Sequence, residues 1–144
     1  MITNDVREDR AFVAGLDLPG QPADLAELKA LVEATGATVV GEAVQSRRNP
    51  DPATFFGKGK VEEMAALIAA NQANMLVVDS ELSPTQIRNL EDQLEVHVLD
   101  RTQLIIDIFA QRARTYEGRL QVEIAQLTYG LPRLTGRGKE MSRL

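Results

Sequence analysis

MLVVDSELSPTQIRNLEDQLEVHVLD, residues 75–100, sets two short apolar runs on either side of one helical segment. Met75–Val78 is four apolar residues closed by Asp79, the pattern of a strand buried on both faces. Ser83-Pro84-Thr85-Gln86 reads as a helix start. Serine caps, proline takes the first helical position, and glutamine at the third completes a capping box. That helix runs to about Leu94, and Val96–Leu99 is the next strand, again closed by an acid, Asp100. A strand, a helix and a second strand in this order form a crossover unit with parallel strands.

The same alternation extends toward the N-terminus. Arg10–Leu18 (RAFVAGLDL) reads as a strand broken by Pro19, Gly20 and Pro22. Asp24–Thr35 has apolar residues at 25, 28, 31 and 32, the helical period, with Gly36 as a left-handed cap. Ala37–Gln45 is a second strand, Ser46–Ala53 a loop, and Val61–Ala70 a helix. The fold class is therefore α/β, a four-stranded parallel sheet with helices on both faces. Residues 1–9 are a flexible lead-in and residues 10–101 form the α/β subdomain. Asp79 and Asp100 fall at the carboxyl ends of neighbouring strands, the edge where such sheets place ligands.

Beyond Asp100 the pattern changes. Leu104, Ile105, Ile108 and Phe109 make a wide apolar face suited to the sheet. After Gly118, which interrupts, Leu120, Ile124, Leu127, Leu131 and Leu134 follow at alternating spacings of four and three, a heptad seam. Residues 102–144 are accordingly expected to be a long C-terminal helix, the first half of an antiparallel hairpin, leaving the body as an arm. Pro132 ends or kinks it near Tyr129, and Gly136 and Gly138 mark the start of a tip loop. An open seam of five large aliphatics is an apolar patch that favours dimerisation.

Charge divides along the same line. The net charge is −5, yet residues 101–144 carry eight Lys/Arg against four Asp/Glu, seven of the eight being arginine. Residues 1–100 carry eight against seventeen. Arginine suits phosphate forks and base stacking, so Arg112, Arg114, Arg119, Arg133, Arg137, Lys139 and Arg143 are candidate RNA contacts; a solvated helix face is the plainer alternative. The absence of cysteine excludes a disulfide framework and a thiolate metal site. The charged N-terminus and the lack of a long apolar run give no signal peptide or membrane span, and the expected location is cytoplasmic.

Three further constellations carry chemistry or its plain alternative. Phe55–Lys60 (FFGKGK) precedes a helix, and Gly57, Lys58, Gly59 and Lys60 are suited to a phosphate; the alternative is a glycine turn with exposed lysines. It is not a P-loop, since G-x-x-x-x-G-K-[ST] is matched nowhere in the sequence. Asp79, Glu81 and Asp100 have the chemistry to hold a divalent metal with phosphates, or else they cap helices and pair with Arg101. His97, the single histidine, reads as a packed strand residue, and no Ser/His/Asp set can be assembled around it. No catalytic residue and no metal ligand is assigned.

The runs FFGKGKVEE, LVVDSELSPTQIRNLE and VLDRTQLIIDIFAQRARTYEGRLQVEIAQLTYGLPRLTGRG together resemble the N-terminal region of the HflX-type GTPases. The resemblance covers nearly the whole chain from Arg10. It implies an α/β subdomain followed by two long antiparallel helices and a G domain. The first hairpin helix is then about Thr102–Leu131, and Thr135–Arg143 opens the tip loop. It implies a partner in the large ribosomal subunit and its rRNA, ribosome splitting under stress, and a hairpin tip near the peptidyl-transferase centre. GTP and magnesium would belong to the parent's G domain, which this sequence does not include, so the fragment itself is expected not to be an enzyme. An adenine-nucleotide activity makes ATP a further candidate ligand, with FFGKGK and Asp79 the place to look. Two rival readings stand beside RNA binding: a nucleotide-binding body using Lys58, Lys60 and Asp79, and a regulatory domain that restrains the G domain.

Overall fold

The computed structural model describes residues 8–134. Four strands, β1 (Arg10–Asp17), β2 (Thr38–Ser46), β3 (Met75–Val78) and β4 (His97–Asp100), form one sheet in the order β2-β1-β3-β4, every pair parallel. Helices α1 (Ala26–Ala34), α2 (Lys58–Ala70), α3 (Pro84–Leu94) and α4 (Arg101–Arg112) fill the crossovers and the C-terminal side.

Period-two alternation divides the sheet between two cores. Phe12, Ala14, Leu16, Leu76, Val78 and Val98 share one with Met64 and Ile68 of α2 and Leu90 of α3. Ala11, Val13, Met75, Val77 and Leu99 share the other with Leu28 and Val32 of α1 and Leu104 and Ile108 of α4. Both central strands are therefore buried on both faces, as their unbroken apolar runs require.

Local signals in the sequence are used as expected. Ser83 Oγ accepts from Gln86 N while Gln86 Oε1 accepts from Ser83 N, closing the capping box around Pro84. Gly36 takes φ +97 at the turn after α1, a conformation costly for residues with a β-carbon. Glu8 and Asp9 are tied down rather than loose, since Thr38 N donates to Asp9 O and Asn74 Nδ2 to Glu8 O. At the β4 edge, the Val98 N–H donates to Glu91 Oε2 at 2.8 Å.

The C-terminal third departs from expectation. The predicted single helix over residues 102–131 is two helices. α4 stops at Arg112, Ala113 turns extended (φ −68, ψ 125), and α5 (Tyr116–Gly130) starts afresh with Thr115 as its N-cap. Thr115 Oγ1 accepts from Gly118 N, so Gly118 lies in the first turn of α5 and does not itself interrupt the helix. α5 does not project. It packs back along α4, ends at Gly130, and passes into a short 3₁₀ turn, Leu131–Arg133, at Pro132. Phe109, assigned to the sheet-facing side, points away from it and is exposed, while Leu104 and Ile108 do the packing.

The seam nonetheless stays open. No residue of α5 is buried, and Leu120, Ile124, Leu127 and Leu131 remain 43–56% exposed. Leu134 is half-buried. An outward aliphatic stripe of this kind favours self-association. Sedimentation velocity at high concentration is expected to show dimers, and Ile124→Glu to remove them; a strict monomer would overturn the expectation.

Candidate nucleic-acid interface

At the carboxyl edge of the sheet the acids are engaged by the protein itself. The Asp79 carboxylate accepts from Arg101 Nη1 at 2.8 Å, and the other Arg101 nitrogen reaches Glu27. These bonds, that to Glu27 foremost, hold the Arg101 guanidinium above its ordinary pKa. Asp100, wholly buried, accepts from Leu82 N at 3.0 Å, from Gln103 N at 2.9 Å as the α4 N-cap, and from the Tyr129 hydroxyl. Among the described residues no group of three or more His, Asp or Glu is placed to hold a metal ion. The strand-end acids thus act as caps and ion-pair partners.

The FFGKGK segment forms the N-terminus of α2. Asp51 accepts from the N–H groups of Ala53 and Thr54, which lowers its pKa, chiefly through the bond from Thr54. Phe55 is left-handed (φ 64) and buried, edge-on to Phe56 at 5.1 Å. A positive φ in so bulky a residue is strained, and two buried rings over-determine it. The Gly57 N–H donates to Gln45 Oε1 at 2.9 Å, and a β-carbon on Gly57 would lie 2.7 Å from Arg47 Nη1. Lys58 and Gly59 are exposed, whereas Lys60 pairs with Glu63 at 3.0 Å. Asp79 makes its ion pair with Arg101, not with either lysine. The buried phenylalanines and the closing Gln45 were invisible in the sequence, since both depend on strand β2 lying beside the loop.

The seven basic candidates do not form one patch. Arg133 is folded inward at the carboxyl edge. Its guanidinium stacks over the Tyr129 ring at 3.7 Å and donates to Leu82 O and Tyr129 O, each at 3.0 Å, with Nε 3.8 Å from Asp100 Oδ2. Arg112, Arg114 and Arg119 gather at the bend between α4 and α5; all three are exposed and make no ion pair among the described residues. A twelve-residue helix spans roughly 18 Å, so the bend lies far from Asp100 and Arg133. Arg137, Lys139 and Arg143 lie outside the described residues.

Under α5, buried Asp107 accepts from Gln103 Nε2 at 3.1 Å, while its Oδ2 has no partner. Burial is the main cause of its raised pKa, offset in part by the hydrogen bond from Gln103. A carboxyl whose folded pKa is raised lends full stability below its unfolded pKa and loses it as pH rises through the folded value. Above that folded value the charged form carries the cost of its burial. Asp107→Asn is expected to stabilise the chain by about 1 kcal/mol at pH 7. Urea midpoints should show that gain narrowing as the pH is lowered toward 4.

The sequence matches the family described as "GTP-binding GTPase N-terminal" over residues 22–110, more than half of the chain. The chain belongs to the GTP-binding GTPase N-terminal family. A second family, "GTP-binding GTPase Middle Region", matches residues 112–144. The junction of the two matches falls in the last turn of α4, just before the bend that separates it from α5. Proteins named GTPase HflX are similar across both regions. That of Caldanaerobacter subterraneus subsp. tengcongensis is 48% identical over 138 residues, covering 96% of this chain and 32% of its own length. That of Escherichia coli K12 is 49% identical over 111 residues, covering 77% and 26%. The chain therefore spans about a third or less of these relatives and corresponds to their N-terminal region. Among solved structures, the SsGBP–GDP complex superposes with a TM-score of 0.69 at 23% identity, covering 88% of this chain and 36% of that one. A GTP-binding protein of Sulfolobus solfataricus with GDP gives 0.66 at 24%, covering 87% and 38%. These likenesses bear out the α/β fold. Among the described residues no helix is long and apolar enough to cross a membrane.

Proposed function

We propose that this chain is the rRNA-binding, ribosome-facing module of an HflX-like GTPase that associates with the large ribosomal subunit and splits ribosomes. In this reading GTP hydrolysis belongs to the parent's G domain, and the module supplies binding. The observation that supports it is the bend of the α4–α5 hairpin. It presents three exposed arginines that make no ion pair among the described residues, on a chain whose other charged residues are mostly acidic. Exposed arginines held at a bend between two helices suit phosphate contact, which is the main source of affinity for nucleic acid.

Co-sedimentation with large ribosomal subunits over a salt series tests this reading. Binding should fall steeply as salt rises, and changing Arg112, Arg114 and Arg119 together to alanine should weaken it and flatten the salt dependence. Binding indifferent to salt and to these residues would refute it. The nucleotide-binding alternative has less support, because the Gly57 N–H and Lys60 are already bonded within the protein. An ATP-dependent rise in melting temperature that is lost in Lys60→Ala would favour that alternative.

A further inference from the structure

At the bend, two exposed aromatics accompany the three arginines. Phe109, on the last turns of α4, is 61% exposed, and Tyr116, the first residue of α5, is 81% exposed. Neither is needed by the cores, which are completed by Leu104 and Ile108 on this side of the sheet. Between the helices lies an open cleft of about 420 Å³. Ile106, Phe109, Val122 and Ala125 line it, and Arg112 and Gln121 reach it as well. Its walls are mostly apolar, with a guanidinium and a carboxamide as polar groups. Residues 108–122 contain three arginines and one acid, Glu117.

Duplex RNA offers a protein its phosphates, its 2′-hydroxyls and the edges of its minor groove, while the flat faces of its bases are stacked inside. Unpaired nucleotides offer flat apolar faces as well, and proteins take them on aromatic rings and arginine planes. An arginine cluster alone fits either form. Exposed rings beside an apolar cleft fit only the second. We infer that the α4–α5 bend is a binding site for an unpaired nucleotide of RNA. Phe109 and Tyr116 supply the stacking faces, Arg112, Arg114 and Arg119 hold the flanking phosphates, and Gln121 is within the cleft to meet a base edge. This rests on the reading that the chain binds RNA, and it names the form of RNA and the residues that select it. The charge balance favours RNA over a protein partner.

The test uses the 144-residue chain with a fluorescein-labelled ten-nucleotide adenylate strand and an RNA duplex of equal length, read by fluorescence anisotropy. The combined Phe109→Ala and Tyr116→Ala variant should bind the single strand about tenfold more weakly and the duplex within about twofold of the parent chain. Tyr116→Phe should restore single-strand binding, since it keeps the ring. The triple arginine variant should weaken both. Both rings are exposed, so an unchanged urea midpoint verifies that the variants fold. With no tryptophan and two tyrosines in the chain, quenching of tyrosine emission by the strand gives a second readout. Equal binding by the aromatic variant and the parent chain would overturn the stacking site while leaving RNA binding intact. Failure of the parent chain to bind either RNA would overturn both. Loss of binding to ribosomal subunits in the aromatic variant, with oligonucleotide binding unchanged, would assign the cleft to a ribosomal protein instead.

Discussion

Asp100→Ala is expected to lower the unfolding free energy by about 3–5 kcal/mol. The carboxylate is wholly buried and receives three donors, the Leu82 and Gln103 N–H groups and the Tyr129 hydroxyl. Removing it leaves all three without their acceptor and uncaps α4 in the same step. A shift in urea midpoint corresponding to less than 1 kcal/mol would sink this account. Tyr129→Phe separates the two roles of the site. It should cost about 1 kcal/mol and speed hydrogen exchange in residues 126–133 while the sheet stays protected. The two also differ in alkali. Burial first, and the bond to Asp100 second, raise the Tyr129 pKa. A phenol that keeps its proton longer when folded loses stability for the chain as pH climbs past the ordinary tyrosine value of about 10. Tyr129→Phe should abolish that component of the alkaline decline.

Phe12→Ala is expected to cost about 3–5 kcal/mol, because the ring is 1% exposed at the centre of the α2–α3 core. Its neighbour across the strand makes the prediction sharper. The β1–β2 register runs Ala11↔Val39 and then Phe12↔Gly41, so Val40 is an extra residue and the ring lies against Gly41. A β-carbon at 41 would stand 2.9 Å from both Cδ2 and Cε2 of Phe12. Gly41→Ala should therefore destabilise the chain by about 1–3 kcal/mol through overpacking. In the Phe12→Ala background the same change should cost almost nothing. Strict additivity of the two in a double-mutant cycle would show that the close approach has no energetic weight.

The sequence was most legible where a residue's role is settled within a few positions of itself. Ser83, Pro84 and Gln86 build their cap from one turn of chain, and Met75–Val78 is a strand because four apolar residues have no other use between a turn and an acid. Gly36 likewise needs only its own φ. The bend at 113–115 escaped for the opposite reason. No proline or glycine stands there, and the heptad spacing over 120–134 continues the helical phase, so the pattern suggested one rod. Thr115 with Glu117 after it was a helix-start signal in plain sight, but a lone N-cap inside a periodic run is outweighed by the period. What decides the bend is tertiary: Tyr129 and Arg133 reach the sheet edge only if α5 turns back.

Site residues fared according to the same rule. Arg112, Arg114 and Arg119 lie together because they flank one turn of chain. Arg133, equally basic, is turned inward by a tyrosine four residues away and a carbonyl fifty-one residues away. Charge composition cannot distinguish the two. Phe109 reads as part of the sheet-facing stripe because an aromatic at helical spacing reads as core, yet it is exposed, as is Tyr116, which no pattern in the sequence singles out.

The two ends of α5 are fixed by unlike means, the first by the continuous backbone through Ala113 and the last by side chains. Tension applied to the polypeptide beyond Leu134 would arrive first at Arg133 and Tyr129, which would let go in sequence, peeling the helix toward its pivot at low force. The strands behind it, held by the ladder of the sheet and by two apolar cores, would yield later. Mechanically the molecule is a stiff handle with a tear-strip.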